Sequence, residues 1–386
     1  MRNNIIFLDC TQSYPHKFSA CNTKIELVCR GLIEQGDSCC ILGGAYGNTF
    51  ANVDSYEGIS TAGISYKLFH KRGSKFYGWI FNVLKVYKTL KNLKKREYKN
   101  IVVIENPDFH LFCFYILFCR LLGFKTSAII QEWGPAVKGV NVVRKISLMI
   151  HVKFFGYMVD SILPISHFLV NKIHPFNKPF YLLPVLAEYV DIQNNNIPSK
   201  SNYFVYCAAA SYYHIIEFLL NIFLNMIDHN ENIKLVMVLS GSDKEIVKVK
   251  NRIEILQLVD FVQIRTNITN KELNSIYQKA LGLLLPLDPK SIQDQARFSQ
   301  KIAEYLASCT PIITSSCGEI PIYFTDKENI FVTECFEPQN YCKAMLYILN
   351  NYESASIVGI NGCKLGKMKF NYKIHGENLH NFFLSI

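Results

Sequence analysis

The sequence predicts an α/β protein with two domains, each built on a doubly wound, mainly parallel sheet. Short apolar segments alternate with amphipathic segments of helical length, which is the order typical of parallel sheets. A polar, asparagine-rich stretch at residues 188–202 interrupts this alternation, which then restarts. The length of 386 residues is also sufficient for two domains of ordinary size.

In the first half, strands are predicted at residues 5–8, 38–42, 101–104, 125–131 and 161–164. Helices are predicted at residues 23–35, 75–99 and 109–122, with a further helix capped by Ser166. Gly36 and Gly123 end the first and third helices, because glycine readily adopts the left-handed conformation of a helix terminus. This half forms the predicted first domain, residues 1–187.

The second half repeats the pattern after the linker at residues 188–202. Strands are predicted at residues 203–208, 234–239, 259–264, 281–286 and 311–314, and helices at 212–228, 270–280, 298–308 and 337–351. Residues 203–370 form the predicted second domain, and residues 371–386 are expected to pack back on the first. In open parallel sheets ligands bind beyond the carboxyl ends of the strands, so functional residues are expected in the loops there.

The composition is that of a packed globular protein, with 49% hydrophobic and 19% charged residues. The formal net charge of +10 favours anionic partners: nucleic acid, phosphorylated ligands or an anionic membrane surface. Helix-turn-helix, RNA-recognition and zinc patterns are absent from the sequence, so a nucleic-acid partner is not predicted. No group of cysteines and histidines has metal-ligand spacing, and no metal or cofactor is predicted.

The location predicted from the sequence is cytoplasmic, with reduced thiols. The first apolar run, residues 5–8, is too short for the core of a signal peptide. The most apolar stretch, residues 111–119, is too short to cross a bilayer, which takes about 20 residues. The lysine-rich helix at residues 75–99 suggests peripheral binding to the inner face of a cell membrane, with a solvated basic helix as the alternative.

Residues 281–324 hold the most informative pattern. A buried strand ends at Pro286, a loop follows, and a helix begins near Phe298, with Lys301 and Glu304 in its first turns. A helix start presents free N–H groups and a positive dipole end to an anion, and a carboxylate nearby can accept hydrogen bonds from a ribose diol. The pattern suits a nucleoside diphosphate. An ordinary surface ion pair on an amphipathic helix is the alternative.

The stretch FSQKIAEYLASCTPII at residues 298–313 resembles the nucleotide-sugar motif of family 4 glycosyltransferases, the group 1 glycosyl transferases, often written FPSKxxEYLASGxPVI. Residues 265–285 are similar to the strand, loop, helix and strand that precede this motif in the family. Residues 160–166, DSILPIS, resemble the strand that ends in a serine before the domain crossover. The resemblance implies the GT-B fold, with two Rossmann-like domains facing a central cleft.

The resemblance also implies roles for individual residues. Lys301 and Arg297 would hold the diphosphate, Glu304 would bind the ribose, and Lys301 would act in catalysis. The implied nucleotide-sugar site comprises Arg265, Asn267, Arg297, Phe298, Ser299, Lys301, Glu304, Ser316 and Gly318. No cofactor or metal is implied.

Three features depart from the family pattern. Ala296 stands where members carry a second glutamate that contacts the donor sugar, and Gln293 and Asp294 are the possible substitutes. The loop at residues 207–214 lacks the usual basic pair, and the glycine-rich loop after the first strand is missing. These departures leave a catalytically inactive scaffold open as the alternative.

Candidates for acceptor binding lie after the strands of the first domain. Glu132, beside Trp133, is a candidate catalytic carboxylate, and a helix-capping role is its alternative. His16 and Lys17, after the first strand, are candidate acceptor contacts, and a solvated loop is their alternative.

The resemblance implies transfer of a sugar from a nucleoside-diphosphate sugar, of UDP or GDP type, to a hydroxyl of a glycan or lipid-linked acceptor. Retention of configuration, independence from metal and a role in bacterial surface polysaccharide synthesis are further expectations. A sugar-nucleotide epimerase or a phosphorylase-like protein are other enzymatic alternatives, although nothing in the sequence resembles a pyridoxal-binding lysine site.

Overall fold

The structure is a computed structural model, and it describes residues 2–11, 13–16, 19–47, 56–70, 78–105, 108–137, 139–190, 201–227 and 232–386. The chain divides into two compact units. Unit 1 comprises Met1–Glu188, Ala296–Gln300 and Phe370–Ile386, and unit 2 comprises Tyr189–Gln295 and Lys301–Lys369.

Unit 1 contains a seven-stranded sheet within the described residues, in the order β3-β4-β2-β1-β5-β6-β7. Its strands are β1 (Arg2–Leu8), β2 (Ser38–Leu42), β3 (Glu57–Ile59), β4 (Ser65–Lys67), β5 (Tyr98–Glu105), β6 (Lys125–Ile130) and β7 (Ser161–Pro164). All neighbours are parallel except β3 and β4. The strand order reverses direction beside β1, which places a topological switch point between β1 and β5.

Helices cover both faces of this sheet. The described helices are α1 (Ala20–Glu34), α2 (Gly78–Leu93), α3 (Phe109–Leu122), α4 (Val142–Met158), α5 (His167–Ile173) and, after the helices of unit 2, α14 (Tyr372–Ser385). Successive strand residues point to opposite faces, so Ile5 and Phe7 pack under α1 and α14, whereas Ile6 and Leu8 pack under α2, α3 and α4.

Unit 2 contains a six-stranded parallel sheet in the described residues, in the order β10-β9-β8-β11-β12-β13. Its strands are β8 (Tyr203–Ala209), β9 (Lys234–Ser240), β10 (Val262–Arg265), β11 (Gly282–Leu285), β12 (Ile312–Ser315) and β13 (Phe331–Thr333). Its helices are α6 (Tyr213–Ile227), α7 (Asp243–Ile255), α8 (Asn270–Lys279), α9 (Ile292–Ala296), α10 (Gln300–Ala307), α11 (Ile320–Tyr323), α12 (Pro338–Asn350) and α13 (Tyr352–Lys369). The switch point of this sheet lies between β8 and β11.

Two mixed α/β units with parallel sheets confirm the predicted fold class. The predicted helix at residues 75–99 ends earlier in the structure, where α2 spans Gly78–Leu93, and its first residues, 75–77, lie outside the described residues. Helices α4, α7, α9, α11, α13 and α14 and the short strands β3, β4 and β13 were not predicted. Among the described residues, no helix has both the length and the apolarity to cross a bilayer.

The segment at residues 296–300 lies within the predicted 203–370 domain, but the structure groups it with unit 1. Its contacts there explain the grouping. The Ser166 hydroxyl donates to the Ala296 carbonyl, and the Gln300 side chain bonds both the N–H and the carbonyl of Leu186. Phe298 packs edge-on against Phe370, with ring centroids 5.4 Å apart.

Candidate functional site

In unit 2, the loops at the carboxyl edge of the sheet meet the start of α10 beside the switch point. The Tyr305 hydroxyl on α10 accepts a hydrogen bond from the Cys207 N–H on β8, over 3.1 Å. Strand β8 is one of the two strands that flank the switch point. Residues in the first turns of α10 therefore lie where ligands of doubly wound sheets bind.

Lys301 and Glu304 form an ion pair at this place. The Lys301 Nζ lies 2.7 Å from Glu304 Oε2, and each side chain is only 16% exposed. An ordinary surface ion pair on an amphipathic helix, the alternative left open by the sequence, would be much more exposed than this pair. Burial alone disfavours the Lys301 ammonium, but the Glu304 carboxylate and Cys207 outweigh it and raise the pKa of Lys301 above its ordinary value. Lys301 is therefore a fixed positive charge at neutral pH.

Glu304 has a second oxygen whose hydrogen-bonding capacity is unused. Its Oε1 is buried and accepts no hydrogen bond from the described residues. A buried acceptor without a donor costs free energy, of the order of 1–3 kcal/mol, and native structures rarely contain one without a reason. A ligand hydroxyl would satisfy this oxygen.

The turn after β12 packs against the end of α9. Gly318, in this turn, has a φ of +56°, and a Cβ there would lie 3.0 Å from the carbonyl oxygens of Asp294 and Gln295. Asp294 is buried and accepts the N–H of Asp288, so its carboxylate helps to hold the loop after β11. By contrast, Gln293 Oε1 is buried and has no hydrogen-bond partner among the described residues. Of the two residues considered as substitutes for the missing glutamate, Gln293 has the spare polar atom.

Other predicted nucleotide contacts lie along the same edge. Arg265 ends β10 and is exposed, and Asn267 follows it with a φ of +54°, in the left-handed region that asparagine tolerates. Strand β10 is two strands away from β8, or about 10 Å. Ser316 is exposed directly after β12. The structure thus places these residues at one edge of the unit 2 sheet.

Arg297, Phe298 and Ser299 fall in the segment of residues 296–300, which belongs to unit 1. Phe298 is 5% exposed and packs on Phe370, so its described contacts are those of a core residue. The three residues remain predicted donor contacts.

The predicted acceptor residues lie after strands β1 and β6 of unit 1. Glu132 is exposed, close to the carboxyl end of β6. Trp133 packs edge-on against Phe168 of α5, and the Lys172 ammonium lies 5.5 Å from the centre of its indole. His16 is exposed and contacts the edge of the Tyr66 ring, whereas Lys17 lies outside the described residues.

Unit 1 also contains a polar cluster that the sequence analysis missed, at its own switch point. Glu105, at the end of β5, accepts hydrogen bonds from Gln131 Nε2, over 2.6 Å, and from the Cys21 thiol, over 3.4 Å. Lys24 of α1, which is 1% exposed, donates to the Leu183 carbonyl. One signal was available in the sequence, because Lys24 precedes Val28 and Leu32 by four and eight residues and so shares their apolar helix face.

Burial shifts the ionisation of both charged groups in this cluster. It raises the pKa of Glu105 from 4.5 to about 7 and lowers the pKa of Lys24 from 10.5 to about 7. The folded protein therefore binds a proton at Glu105 that the unfolded chain lacks between pH 4.5 and 7, so stability falls as the pH rises through that window. Between pH 7 and 10.5 the folded protein lacks a proton at Lys24 that the unfolded chain holds, so stability rises as the pH rises through that window.

We expect the double substitution Lys24→Met, Glu105→Gln to remove a stability minimum near pH 7. The gain in the free energy of unfolding over the wild type should be larger at pH 7 than at pH 5 by about 2 kcal/mol, allowing for partial solvent screening. Urea unfolding followed by tryptophan fluorescence measures it, because both tryptophans, Trp79 and Trp133, lie in unit 1.

The matched control is Lys91→Met, Glu97→Gln, at two exposed positions of the same unit. It should leave the pH profile of the wild type unchanged. A gain from the Lys24 and Glu105 substitutions that is equal at pH 5, 7 and 9 would contradict the assigned shifts.

Among the described residues, no three His, Cys, Asp or Glu side chains are grouped in a way that could hold a metal ion.

Comparisons with known proteins identify the fold of the chain. No curated protein matches the chain significantly in sequence. Among solved structures, sucrose-phosphate synthase from Thermosynechococcus elongatus has a TM-score of 0.77 at 13% identity, over 100% of this chain and 99% of the synthase. HepE from Anabaena, in complex with UDP and glucose, has a TM-score of 0.74 at 10% identity, over 100% of both chains. A glycosyltransferase from Rickettsia africae has a TM-score of 0.70 at 13% identity, over 100% of this chain and 98% of that one.

At these identities, the structural likeness shows the fold, which is the GT-B fold of glycosyltransferases. In the sequence, residues 189–364 match the model of the glycosyl transferases group 1. This range contains the Lys301–Glu304 pair and the loops at the carboxyl edge of the unit 2 sheet. The chain therefore has the GT-B fold, and its residues 189–364 resemble the group 1 glycosyl transferases.

Proposed function

We propose that this protein transfers a sugar from a nucleoside-diphosphate sugar to a hydroxyl group of a glycan or lipid-linked acceptor. The observation that supports this most directly is the buried, unpartnered Oε1 of Glu304 beside the fixed charge of Lys301. A ribose hydroxyl would supply the missing donor, and the diphosphate would lie against the ammonium. UDP is the first candidate nucleotide, because HepE binds it, and GDP is the second.

In the proposed reaction, the acceptor oxygen bonds to the anomeric carbon while the bond from that carbon to the diphosphate oxygen breaks. The leaving diphosphate takes the electron pair, and it also takes the acceptor proton. An ammonium has three N–H donors, and Glu304 and Cys207 occupy at most two of those of Lys301. The third would stabilise the charge that develops on the leaving group. This route retains the anomeric configuration and uses no metal.

Gln293 is the proposed contact of the donor sugar, in place of the family's missing glutamate. A neutral amide can accept and donate hydrogen bonds to sugar hydroxyls but cannot stabilise a positive charge as a carboxylate does. On the acceptor side, we propose Glu132, Trp133, His16 and Lys17. The proposed place of action is the cytoplasm or the inner face of a bacterial membrane, in surface polysaccharide synthesis.

A catalytically inactive scaffold is the second candidate, and one observation favours it. Ala296, at the position of the missing glutamate, is fully buried, and its methyl group offers no polar contact to a donor sugar. A scaffold of this type would not need to bind nucleotide.

We expect one of UDP, GDP, CMP, ADP and dTDP to raise the melting temperature of the wild type, and Lys301→Ala to abolish that increase. A ligand at a hundred times its Kd stabilises the native state by about 2.7 kcal/mol. A thermal-shift screen with these five nucleotides measures the effect directly.

Lys343→Ala, at an exposed position of α12 in the same unit, is the matched control and should keep the full shift. Lys301→Ala leaves Glu304 without its partner and so lowers the melting temperature by itself. Isothermal titration calorimetry of each variant, at a temperature where it is folded, therefore measures nucleotide affinity separately from stability. If no nucleotide binds the wild type at millimolar concentration, the scaffold becomes the better proposal.

A further inference from the structure

Helices α2, α3 and α4 lie side by side on one face of the unit 1 sheet, and their outer surface is unusually apolar. Ring contacts join them in that order: Trp79 with His110, Tyr87 with Phe118, and Phe109 with Phe154. Their large apolar side chains that are at least 37% exposed are Ile80, Phe81, Leu84, Phe114, Leu117, Leu121, Val142, Val143, Ile146, Met149, Ile150, Phe154 and Tyr157. We call these thirteen side chains the outer apolar face.

The spacing on α4 shows that its exposed apolar residues form a stripe. Val143, Ile146 and Ile150, followed by Phe154 and Tyr157, recur every three or four residues, which is the repeat of one helix face. The opposite side of α4, with Leu148, His151 and Phe155, is buried against the unit. An isolated exposed hydrophobic residue needs no explanation, but a continuous stripe on the outside of a folded unit does.

The charges on the same helices all have one sign. No aspartate or glutamate occurs in α2, α3 or α4. Their basic residues are Lys85, Lys88, Lys91, Arg120, Arg144, Lys145 and Lys153. Lys85 is half-buried, and the other six are exposed. The outer apolar face is therefore bordered by positive charge on every helix.

We infer that the outer apolar face docks on the surface of an anionic lipid bilayer. Exposed apolar side chains bordered by lysine and arginine match the two layers of such a surface, namely the acyl boundary and the negative headgroups. A second copy of the chain fits less well, because a two-fold interface would bring the same positive charges together. The absence of a spanning helix among the described residues is in keeping with docking in the plane of the interface.

The outer apolar face lies close in the chain to the predicted acceptor residues. The loop that carries Glu132 and Trp133, after β6, leads within ten residues to Val142 and Val143, which are 73% and 78% exposed. The bilayer would thus lie next to the carboxyl edge of the unit 1 sheet, where acceptor residues are predicted. A lipid-linked acceptor is the substrate class that this placement favours. That last step rests on the proposed glycosyl transfer, whereas the docking itself does not.

The test is co-sedimentation of the full chain with vesicles of phosphatidylglycerol and phosphatidylcholine, compared with phosphatidylcholine alone. We expect binding to the anionic vesicles and about tenfold weaker binding to the neutral ones. The variant Val143→Gln, Ile146→Gln should weaken anionic-vesicle binding about tenfold or more, because apolar area is lost. Lys145→Gln, Lys153→Gln should weaken it in low salt and have little effect in high salt.

The matched control is Val247→Gln, Ile255→Gln on α7 of unit 2, where the two residues are 51% and 70% exposed. It should bind vesicles as the wild type does. The inference is overturned if the wild type does not bind anionic vesicles, or if the α4 and α7 variants bind equally. It is also overturned if the wild type dimerises in gel filtration and the α4 variant is monomeric, since the face would then join two copies.

The nucleotide-induced thermal shift separates this inference from the proposed function. The α4 variant should keep the shift of the wild type, because Lys301 and Glu304 are in unit 2. Loss of vesicle binding with a retained shift would support docking by α4, whereas a wild type without any shift would reject only the proposed function.

Discussion

We expect Glu304→Gln to weaken binding of the nucleotide by about 10- to 100-fold and to slow sugar transfer at least as much, because a charged hydrogen bond contributes about 1.5–3 kcal/mol. The substitution keeps the shape of the side chain and removes its charge. The glutamine can still accept one hydrogen bond, but not as strongly as a carboxylate. Titration calorimetry with the nucleotide that stabilises the wild type measures the change.

The same substitution also affects stability, and this effect must be separated from binding. Glu304→Gln leaves Lys301 buried without its counter-charge, and breaking a buried ion pair in this way costs about 3–5 kcal/mol. Lys301→Met leaves the Glu304 carboxylate buried without its counter-charge. Replacing both, as Lys301→Met with Glu304→Gln, removes both charges, which is often neutral for stability.

The three variants therefore have different expected patterns. Each single variant should unfold at a lower urea concentration than the wild type, and the double variant should regain most of that loss. Nucleotide affinity should fall in all three and should not return in the double variant. If affinity returned together with stability, the pair would have a structural role only, and the ribose and diphosphate would bind elsewhere.

The sequence alone indicates that Lys301 and Glu304 lie close together, but not how deeply they are buried. A lysine and a glutamate three residues apart at a helix start indicate proximity, and the structure gives an ion pair of 2.7 Å. The depth of burial, however, depends on Tyr305 and Cys207, which lie about 100 residues apart in the sequence and meet only in the folded unit. A pattern within one helix contains no information about such a contact.

The Glu105 cluster and helix α4 show two further limits. Glu105, Gln131 and Cys21 come from three segments, and only the strand order of the sheet brings them together. Helix α4 was missed for a different reason, because apolar residues lie on its exposed side as well as on its buried side. A helix without a polar face has no clear 3.6-residue period in the sequence.

Apolar residues on both sides are also found in α2, which lies within the predicted helix at residues 75–99. Helix α2 carries exposed apolar residues, among them Ile80 and Leu84, which are 43% and 57% exposed. Its buried face combines Val83, Val86 and Leu90 with the polar side chain Asn82, whose amide donates to the Ala45 carbonyl. Apolar residues therefore lie on both sides of α2, and the sequence alone could not reveal which side faces the core.

The second large effect is expected at the crossing of α1 and α14, where two glycines allow the helices to touch. A Cβ on Gly376 would lie 2.6 Å from the Gly31 carbonyl oxygen, and a Cβ on Gly31 would lie 2.6 Å from the Tyr372 carbonyl oxygen. Both obstacles are backbone atoms, which cannot rotate away. Polar contacts surround the crossing: the Tyr372 hydroxyl donates to Glu34, and His380 bonds Asp37 over 2.8 Å.

Gly376→Ala should therefore destabilise unit 1 although alanine is the better helix former by about 1 kcal/mol. Forcing the helices apart costs about 1–3 kcal/mol and strains the polar contacts as well, so we expect a net loss of about 2 kcal/mol. Gly376→Leu should cost more. Urea unfolding followed by tryptophan fluorescence measures the loss, since both tryptophans lie in unit 1.

Glu377→Ala, the neighbouring exposed position of α14, is the matched control and should change stability little. If Gly376→Ala were as stable as the wild type, α1 and α14 would not be in backbone contact. The segment after residue 369 would then not be held to unit 1 in the way the structure shows. The predicted ranking, in which leucine destabilises more than alanine at residue 376, follows from sterics alone, because helix propensity ranks the two residues as nearly equal.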